Sequence, residues 1–459
     1  GNSLAEVLAM IDRSVAADLA TGLLKPQRDN LVERPWGGDR LRSFKGLSAS
    51  PDRRYGESFE ISADDADDEA RLHPSVLELA DGSTITLPAL LAVHADTLLG
   101  EQFVRSYGRR FPLLPKLLDV AELLSVQAHP PGNTEVYVIV DADRDATIRL
   151  GFAADVDATA WAAKLNEARH DQQRLLELLG ADSADVLQAL LKDWLARRKA
   201  RPAELENVLV QRLPDAQSWP DIEAKLMALH ETYWAVLDSL NAVPVKAGDV
   251  VYNANPPSVV ATSGKPASAE VHALGNPEGR AVFALEIRCP GPTFRAWDNV
   301  RFPLRKLEVE AALQAVNLAA TRPQDFIVEP KRVRPGVSRS VDCEYFRLEH
   351  LEPTASLAID VPTSAPHCLH AIAGSVSVRR GGEGIAKVER GESAFVPAGV
   401  GGGRLVADGE PASVAGVTLP PYVAWSAVDV AARHGAARSR CHSAPPPHAA
   451  PGVEGRPSA

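Results

Sequence analysis

Cysteine is scarce in this chain. Four residues in 459, Cys289, Cys343, Cys368 and Cys441, stand far apart and form no Cys-x-x-Cys pair. That spacing offers neither a zinc knuckle nor a disulfide framework, and a reducing cytoplasm is the simplest compartment for it. Long apolar runs are missing too: none approaches the ~18 residues a membrane helix needs. The first residues lack the basic, apolar and small-residue order of a secretory signal. Positive charge is also in deficit. Lys and Arg number 49 against 60 Asp and Glu, a formal charge of −11. Such a chain has no basic footprint for a polyanion, so nucleic acid is not an expected partner. A small anion needs only a few local Arg or Lys side chains and stays open.

What is present fits a soluble globular protein. Apolar residues make up 45% and charged residues 24%, both ordinary values. The length allows roughly two to three domains. Leu4, Val7, Leu8, Ile11, Val15 and Leu19 recur at helical spacing, so 4–24 is expected to be a helix. Short strand-like runs with Gly and Asp punctuation follow to about residue 150. From about Val156 to Leu240 the pattern turns helical. Asp182 or Ser183 can cap a helix with the stripe Leu187, Leu190, Leu191, Trp194 and Leu195. A second helix follows Pro220, and His230 beside its apolar stripe reads as a structural or surface histidine. Strands resume at Val243, residues 306–318 look helical, and a second β-rich block runs from about Tyr345 to Pro420. Beyond about Ala427 the chain becomes rich in Pro, Ala and Gly, the composition of a mobile tail.

The segment Leu123–Val140 holds the densest chemistry. Gln127 and His129 sit at i and i+2, so on a strand both point to one face. Pro130-Pro131-Gly132-Asn133 makes a turn. Glu135 then opens a second apolar strand, expected to fold back beside the first as a hairpin. The three side chains would offer an amide oxygen, an imidazole and a carboxylate to one metal ion.

Gln127-Ala128-His129-Pro130 followed by Glu135 resembles the zinc-site signature of type I phosphomannose isomerases, enzymes of the cupin superfamily. Further segments are similar to that family. Trp36-Gly37-Gly38 resembles its opening. Gly56-Glu57-Ser58-Phe59-Glu60 resembles its Gly-Glu-Ser-Trp-Glu, with Phe59 in place of Trp. Phe111–Lys116 resembles the segment that brings a lysine into the pocket. The resemblance covers roughly Pro35 to Pro420. It implies a mainly β fold with a helical insertion: two cupin (jelly-roll) β-barrel domains plus an α-helical domain. The division expected is a helix at 1–29, a discontinuous catalytic cupin of 30–155 and 241–305, a helical insertion at 156–240, a cupin-like domain at 306–426, and a low-complexity tail at 427–459.

The resemblance also implies a Zn(2+) site and a substrate pair, mannose 6-phosphate and fructose 6-phosphate, interconverted through an enediolate. The family's fourth zinc ligand is a histidine soon after the Gly248-Asp249 strand. Val259 stands at that register. Glu270-Val271-His272-Ala273-Leu274-Gly275 restores the match if Pro256–Ala269 is an insertion, which makes His272 the expected ligand; otherwise the site keeps three. Arg295 follows the Leu285-Glu286 strand at the distance of the family's arginine, with Arg301 and Arg305 as lesser candidates. Glu286, Lys116 or a metal-bound water would move the proton. Ser125 and Lys116 match substrate or phosphate contacts. Glu57 and Glu60 read as salt-bridged scaffold. His367 and His370 lack a matching carboxylate, so no second metal is expected, and the second β block reads as structural. His442 and His448 in the tail have no expected role.

Two other readings stay open. One is a cupin-fold sugar-phosphate-binding or regulatory protein, or an isomerase of a different sugar phosphate. The other is an iron cupin dioxygenase, whose sites prefer His with one carboxylate and suit Gln127 poorly. The sequence carries no signal for the oligomeric state.

Overall fold

The computed structural model describes residues 13, 15, 18, 22–64, 67–131, 133–209, 218–255, 268–343, 345–361, 365–398 and 403–419. Most of the expected 4–24 helix, most of the Pro256–Ala269 insertion, the whole tail and Cys441 lie outside them.

Among the described residues, the first part of the fold contains thirteen strands: β1 (Leu31–Gly38), β2 (Tyr55–Phe59), β3 (Val76–Glu78), β4 (Thr84–Thr86), β5 (Lys116–Val120), β6 (Val126–Ala128), β7 (Glu135–Ala142), β8 (Thr147–Phe152), β9 (Leu240–Pro244), β10 (Val250–Asn253), β11 (His272–Ala273), β12 (Val282–Arg288) and β13 (Phe294–Trp297). Six form one antiparallel sheet in the order β1-β2-β5-β12-β7-β10, and five form another in the order β13-β6-β11-β8-β9. Alternation on each strand sends one set of side chains between the sheets. Leu118, Tyr137, Ile139, Val251, Val282 and Ala284 from the first sheet meet Ile148, Leu150 and Val243 from the second.

The outer faces are covered as well. Val126, Ala128, Ala273 and Trp297 of the five-stranded sheet pack on helices Ala158–Leu179, Ala184–Arg197 and Trp219–Asp238. His230 is buried there, its ring edge-on to Trp194 at 6.0 Å. Val136, Val138, Phe283 and Leu285 of the six-stranded sheet pack on Phe346, Leu348, Cys368, Phe395 and Val417. These belong to a second β unit, whose six-stranded sheet includes Arg347–Leu351, His367–Ala373, Ser393–Val396 and Ser413–Thr418. A four-stranded sheet faces it. Strands on both faces of a sheet are buried, which is why β7 and β12 read as continuous apolar runs.

The expected architecture is met as a mainly β molecule with helices. The sheets remain separate and do not close into hydrogen-bonded barrels. The expected hairpin is also corrected. β6 and β7 belong to different sheets and do not pair. The turn after Pro130 carries the chain across the sandwich, so Glu135 faces Gln127 and His129 instead of lying beside them. Two glycines set the near edge. A Cβ on Gly37 would lie 2.6 Å from the backbone of Gly56, and one on Gly56 would lie 2.7 Å from Trp36 and Arg34. Only glycine permits this approach of β1 and β2, which carry Arg34, Trp36 and Glu57 to the rim of the site.

Candidate metal centre and active-site cavity

The site is assembled from rows of directly opposed residues, which share a face of their sheet. On the six-stranded sheet, Lys116, Glu286 and Tyr137 stand opposite one another across β5, β12 and β7. The next row holds Arg288, Glu135 and Asn253 across β12, β7 and β10. On the five-stranded sheet, Arg295, Gln127 and His272 form a row across β13, β6 and β11. The two sheets bring these rows face to face at one end of the sandwich.

His129, Glu135 and His272 form a fully buried cluster whose potential ligand atoms lie within 4.8 Å of one another. His129 Nε2 is 2.6 Å from Glu135 Oε1, and His272 Nε2 is 3.3 Å from Glu135 Oε2. Both imidazoles are fixed from behind. His129 Nδ1 faces the Pro292 carbonyl at 3.2 Å and His272 Nδ1 faces the Glu270 carbonyl at 2.7 Å. A carbonyl partner places the ring proton on Nδ1 and leaves Nε2 as the electron-pair donor. His129 Nε2 faces Glu135 Oε1 without the angle of a regular hydrogen bond, a pair of polar atoms that a cation between them would satisfy. Gln127 adds an amide 3.4 Å from His272 Nε2. Two imidazoles, a carboxylate and an amide fit a divalent cation of the zinc class.

Electrostatics supports that fit. Burial alone would raise the pKa of Glu135, but His129, His272 and Arg288 outweigh it and hold the carboxyl well below its ordinary range. Burial lowers the pKa of His272, which favours the neutral imidazole a metal requires.

The cluster opens into a cavity of about 480 Å³. Its walls include Ser125, Gln127, Glu135, Glu286, Arg288, Arg295, Arg301 and Arg305. Lys116 is buried and bonded to Glu57 at 3.2 Å and to Glu69 at 2.8 Å. Burial opposes its charge, yet the two carboxylates prevail and keep it protonated. Lys116 in turn holds Glu69 down to about 2. Glu286 behaves oppositely. Burial first, and then the charge of Glu135, push it up to about 8. Asp298, itself buried, is shared by Arg295, Arg301 and Arg305 at 3.9, 3.6 and 2.6 Å. Three guanidinium groups against one carboxylate leave a cationic excess at the cavity wall.

The structure therefore brings Ser125, Gln127, His129, Glu135, His272, Glu286, Arg295 and Lys116 to one place. Shortly before His272, Asn255 and Ser268 pair through both backbone hydrogen bonds, at 2.7 and 3.0 Å, at the base of the segment expected to be an insertion. Glu57 does sit in an ion-paired network. Glu60 joins Lys45 instead, away from the cavity, at 2.6 Å. Sequence reasoning passed over Arg288 and Tyr137. Arg288 lies 3.8 Å from Glu135, and the Tyr137 hydroxyl donates to Glu135. Both could have been found as i+2 neighbours of Glu286 and Glu135, on the same strand faces.

Comparison with known proteins fits this geometry. Residues 33–146 match the family model of the phosphomannose isomerase type I catalytic domain. The resemblance to that family is thus shown on the segment that supplies Gln127, His129 and Glu135. Mannose-6-phosphate isomerase of Streptococcus mutans is 33% identical over 141 residues, 28% of this chain and 40% of that protein. The matched stretch thus spans about two fifths of that curated relative. Two solved structures share the fold more widely. Mannose 6-phosphate isomerase of Bacillus subtilis superposes with a TM-score of 0.56 at 20% identity, over 87% of this chain and 99% of that one. A mannose 6-phosphate isomerase bound with zinc and yttrium superposes with a TM-score of 0.54 at 15% identity, over the same shares.

Proposed function

We propose that this protein is a zinc-dependent aldose–ketose isomerase that interconverts mannose 6-phosphate and fructose 6-phosphate through an enediolate. The observation that carries the reading is the buried His129–Glu135–His272 cluster opening into a cavity walled by arginines. The family-model match over residues 33–146, the names of the curated relatives and the zinc bound by a structural neighbour support it. In this reading Gln127, His129, Glu135 and His272 hold the ion. Bound there, zinc supplies the Lewis acidity that polarises a carbonyl and steadies the negative oxygen that develops.

The remaining work falls to side chains of the cavity. The reaction moves a proton between C1 and C2 of the sugar. A carboxyl group near pKa 8 can both accept and return a proton close to neutral pH, so Glu286 is the proton carrier. Lys116 is the weaker choice, because two carboxylates hold its proton. Its role is a fixed positive charge for the substrate on the wall of the cavity that Ser125 also lines. Arg295 stands opposite Gln127 and adds cationic stabilisation beside the ion. The arginines around Asp298 provide the oxyanion contacts a phosphate needs.

We read the two pairs of sheets as cupin modules, with residues 156–240 as an insertion into the first. Among the described residues Cys289, Cys343 and Cys368 form no disulfide, and the reducing, cytoplasmic setting remains our reading of the cysteine spacing. No helix among the described residues is long and apolar enough to cross a membrane.

A different sugar phosphate, or binding without turnover, is the competing reading. It draws on the part of the cavity that lies beyond residue 146, where Gln188, Arg295, Arg301 and Phe302 line the wall. The discriminating experiment measures zinc content and conversion of mannose 6-phosphate for the protein and for His129→Ala. The proposal expects stoichiometric zinc and turnover in the first and neither in the second. Full turnover by His129→Ala contradicts it.

A further inference from the structure

We infer that Tyr137, with Asn253 behind it, is a positioning residue that fixes which oxygen of Glu135 faces the metal; this rests on the zinc reading above. Tyr137 and Glu135 are i and i+2 on β7 and share its inner face. The Tyr137 hydroxyl donates to Glu135 Oε2. Asn253 Nδ2 lies 3.4 Å from the same oxygen and 3.3 Å from the Tyr137 hydroxyl. Asn253 is itself anchored, because its Oδ1 accepts from the Glu270 backbone N–H at 2.7 Å.

The two oxygens of Glu135 are therefore unequal. Oε2 takes the Tyr137 hydroxyl and lies 3.4 Å from Asn253 Nδ2 on its core side, with His272 Nε2 at 3.3 Å on the other. Oε1 faces His129 Nε2 at 2.6 Å, with Arg288 at 3.8 Å. A carboxylate tethered at one oxygen cannot rotate freely to offer both. Tyr137 is fully buried among Ile139, Val251 and Ala284, so its hydroxyl is closed off from bulk solvent. Hydrogen bonds from a neutral donor to a buried carboxylate are among the stronger ones. Outer partners of this kind orient the ligand and tune affinity for the ion. Tyr137 acts through Glu135 and does not line the cavity.

Zinc affinity, measured by competition with a chromophoric chelator, tests this independently of turnover. Tyr137→Phe keeps the ring and removes only the donor. It is expected to weaken zinc binding by about tenfold to a hundredfold, while Ile139→Val, next along the same face and bonded to no ligand, leaves it unchanged. If Tyr137→Phe does not fold, Asn253→Ala takes its place, with a smaller weakening expected. Unchanged zinc affinity in the folded variant overturns the inference. So does an equal loss in Ile139→Val, which would mean general loosening of the strand. A wild-type protein that binds no zinc instead overturns the zinc reading itself.

Discussion

Glu286 and Lys116 stand opposite each other across two strands, yet their protons obey different neighbours. Lys116 is held charged by Glu57 and Glu69. Its removal leaves carboxylates without a buried counter-charge, although Arg34 stays 2.6 Å from Glu57. Lys116→Ala is therefore expected to cost about 3 kcal/mol, read as a drop in the urea midpoint. Glu286 keeps its proton up to about pH 8, against an ordinary 4.5. Between those values the folded state binds the proton and the unfolded chain does not. Stability of the metal-free protein should therefore fall as pH rises through that window. Glu286→Gln should flatten this dependence in urea titrations at pH 5 and pH 8, and should abolish isomerisation while zinc is retained. A variant with normal turnover would remove Glu286 from the proton path.

At the scale of elements, each strand contributes one or two side chains at chosen positions of its inner face. Much of that was legible. The i, i+2 spacing of Gln127 and His129 and the strand opened by Glu135 pointed to a shared cavity. The apolar stripe from Leu187 to Leu195 marked a helix, now Ala184–Arg197. What stayed hidden was pairing. A tight Pro-Pro-Gly-Asn turn reads alike whether it closes a hairpin or crosses between sheets, because only the partners of β6 and β7 decide. Those partners, β11 and β13 for one and β10 and β12 for the other, come more than a hundred residues later. Arg288 could be read onto the inner face from its i+2 spacing to Glu286, but its contact with Glu135 follows only from β12 lying beside β7. Local signals governed the helices instead. Asp157 accepts from the Ala160 backbone N–H at 3.0 Å and caps Ala158–Leu179. Asp157→Ala should cost about 1 kcal/mol in urea unfolding and leave turnover intact, since Asp157 is neither a ligand nor part of the cavity wall.

At the scale of the whole molecule, layers are stacked so that the site lies between two sheets that are each backed by another layer. Helices back the five-stranded sheet, and the second β unit backs the six-stranded sheet. A buried lysine of the first unit, ion-paired within that unit, reaches across to the second. Lys45 bonds Glu60 at 2.6 and 2.9 Å and the Gly391 carbonyl at 2.9 Å. Lys45→Met leaves Glu60 buried without its cation and should cost on the order of 3 kcal/mol. Thermal unfolding that splits into two steps in this variant would show that the tie couples the halves; an unchanged single transition would deny it that role. His367 and His370 belong to this backing layer, their ring Nδ1 atoms facing the Ala365 carbonyl and Ser393. Among the described residues they join no metal-binding cluster.

Everything proposed for the site depends on a metal held by His129, Glu135 and His272 driving isomerisation in the arginine-walled cavity. The experiment that decides it is the conversion of mannose 6-phosphate to fructose 6-phosphate by the intact protein, before chelation, after chelation, and after zinc is added back. Turnover that chelation abolishes and zinc restores is expected. Turnover that survives complete removal of the metal would contradict the proposal.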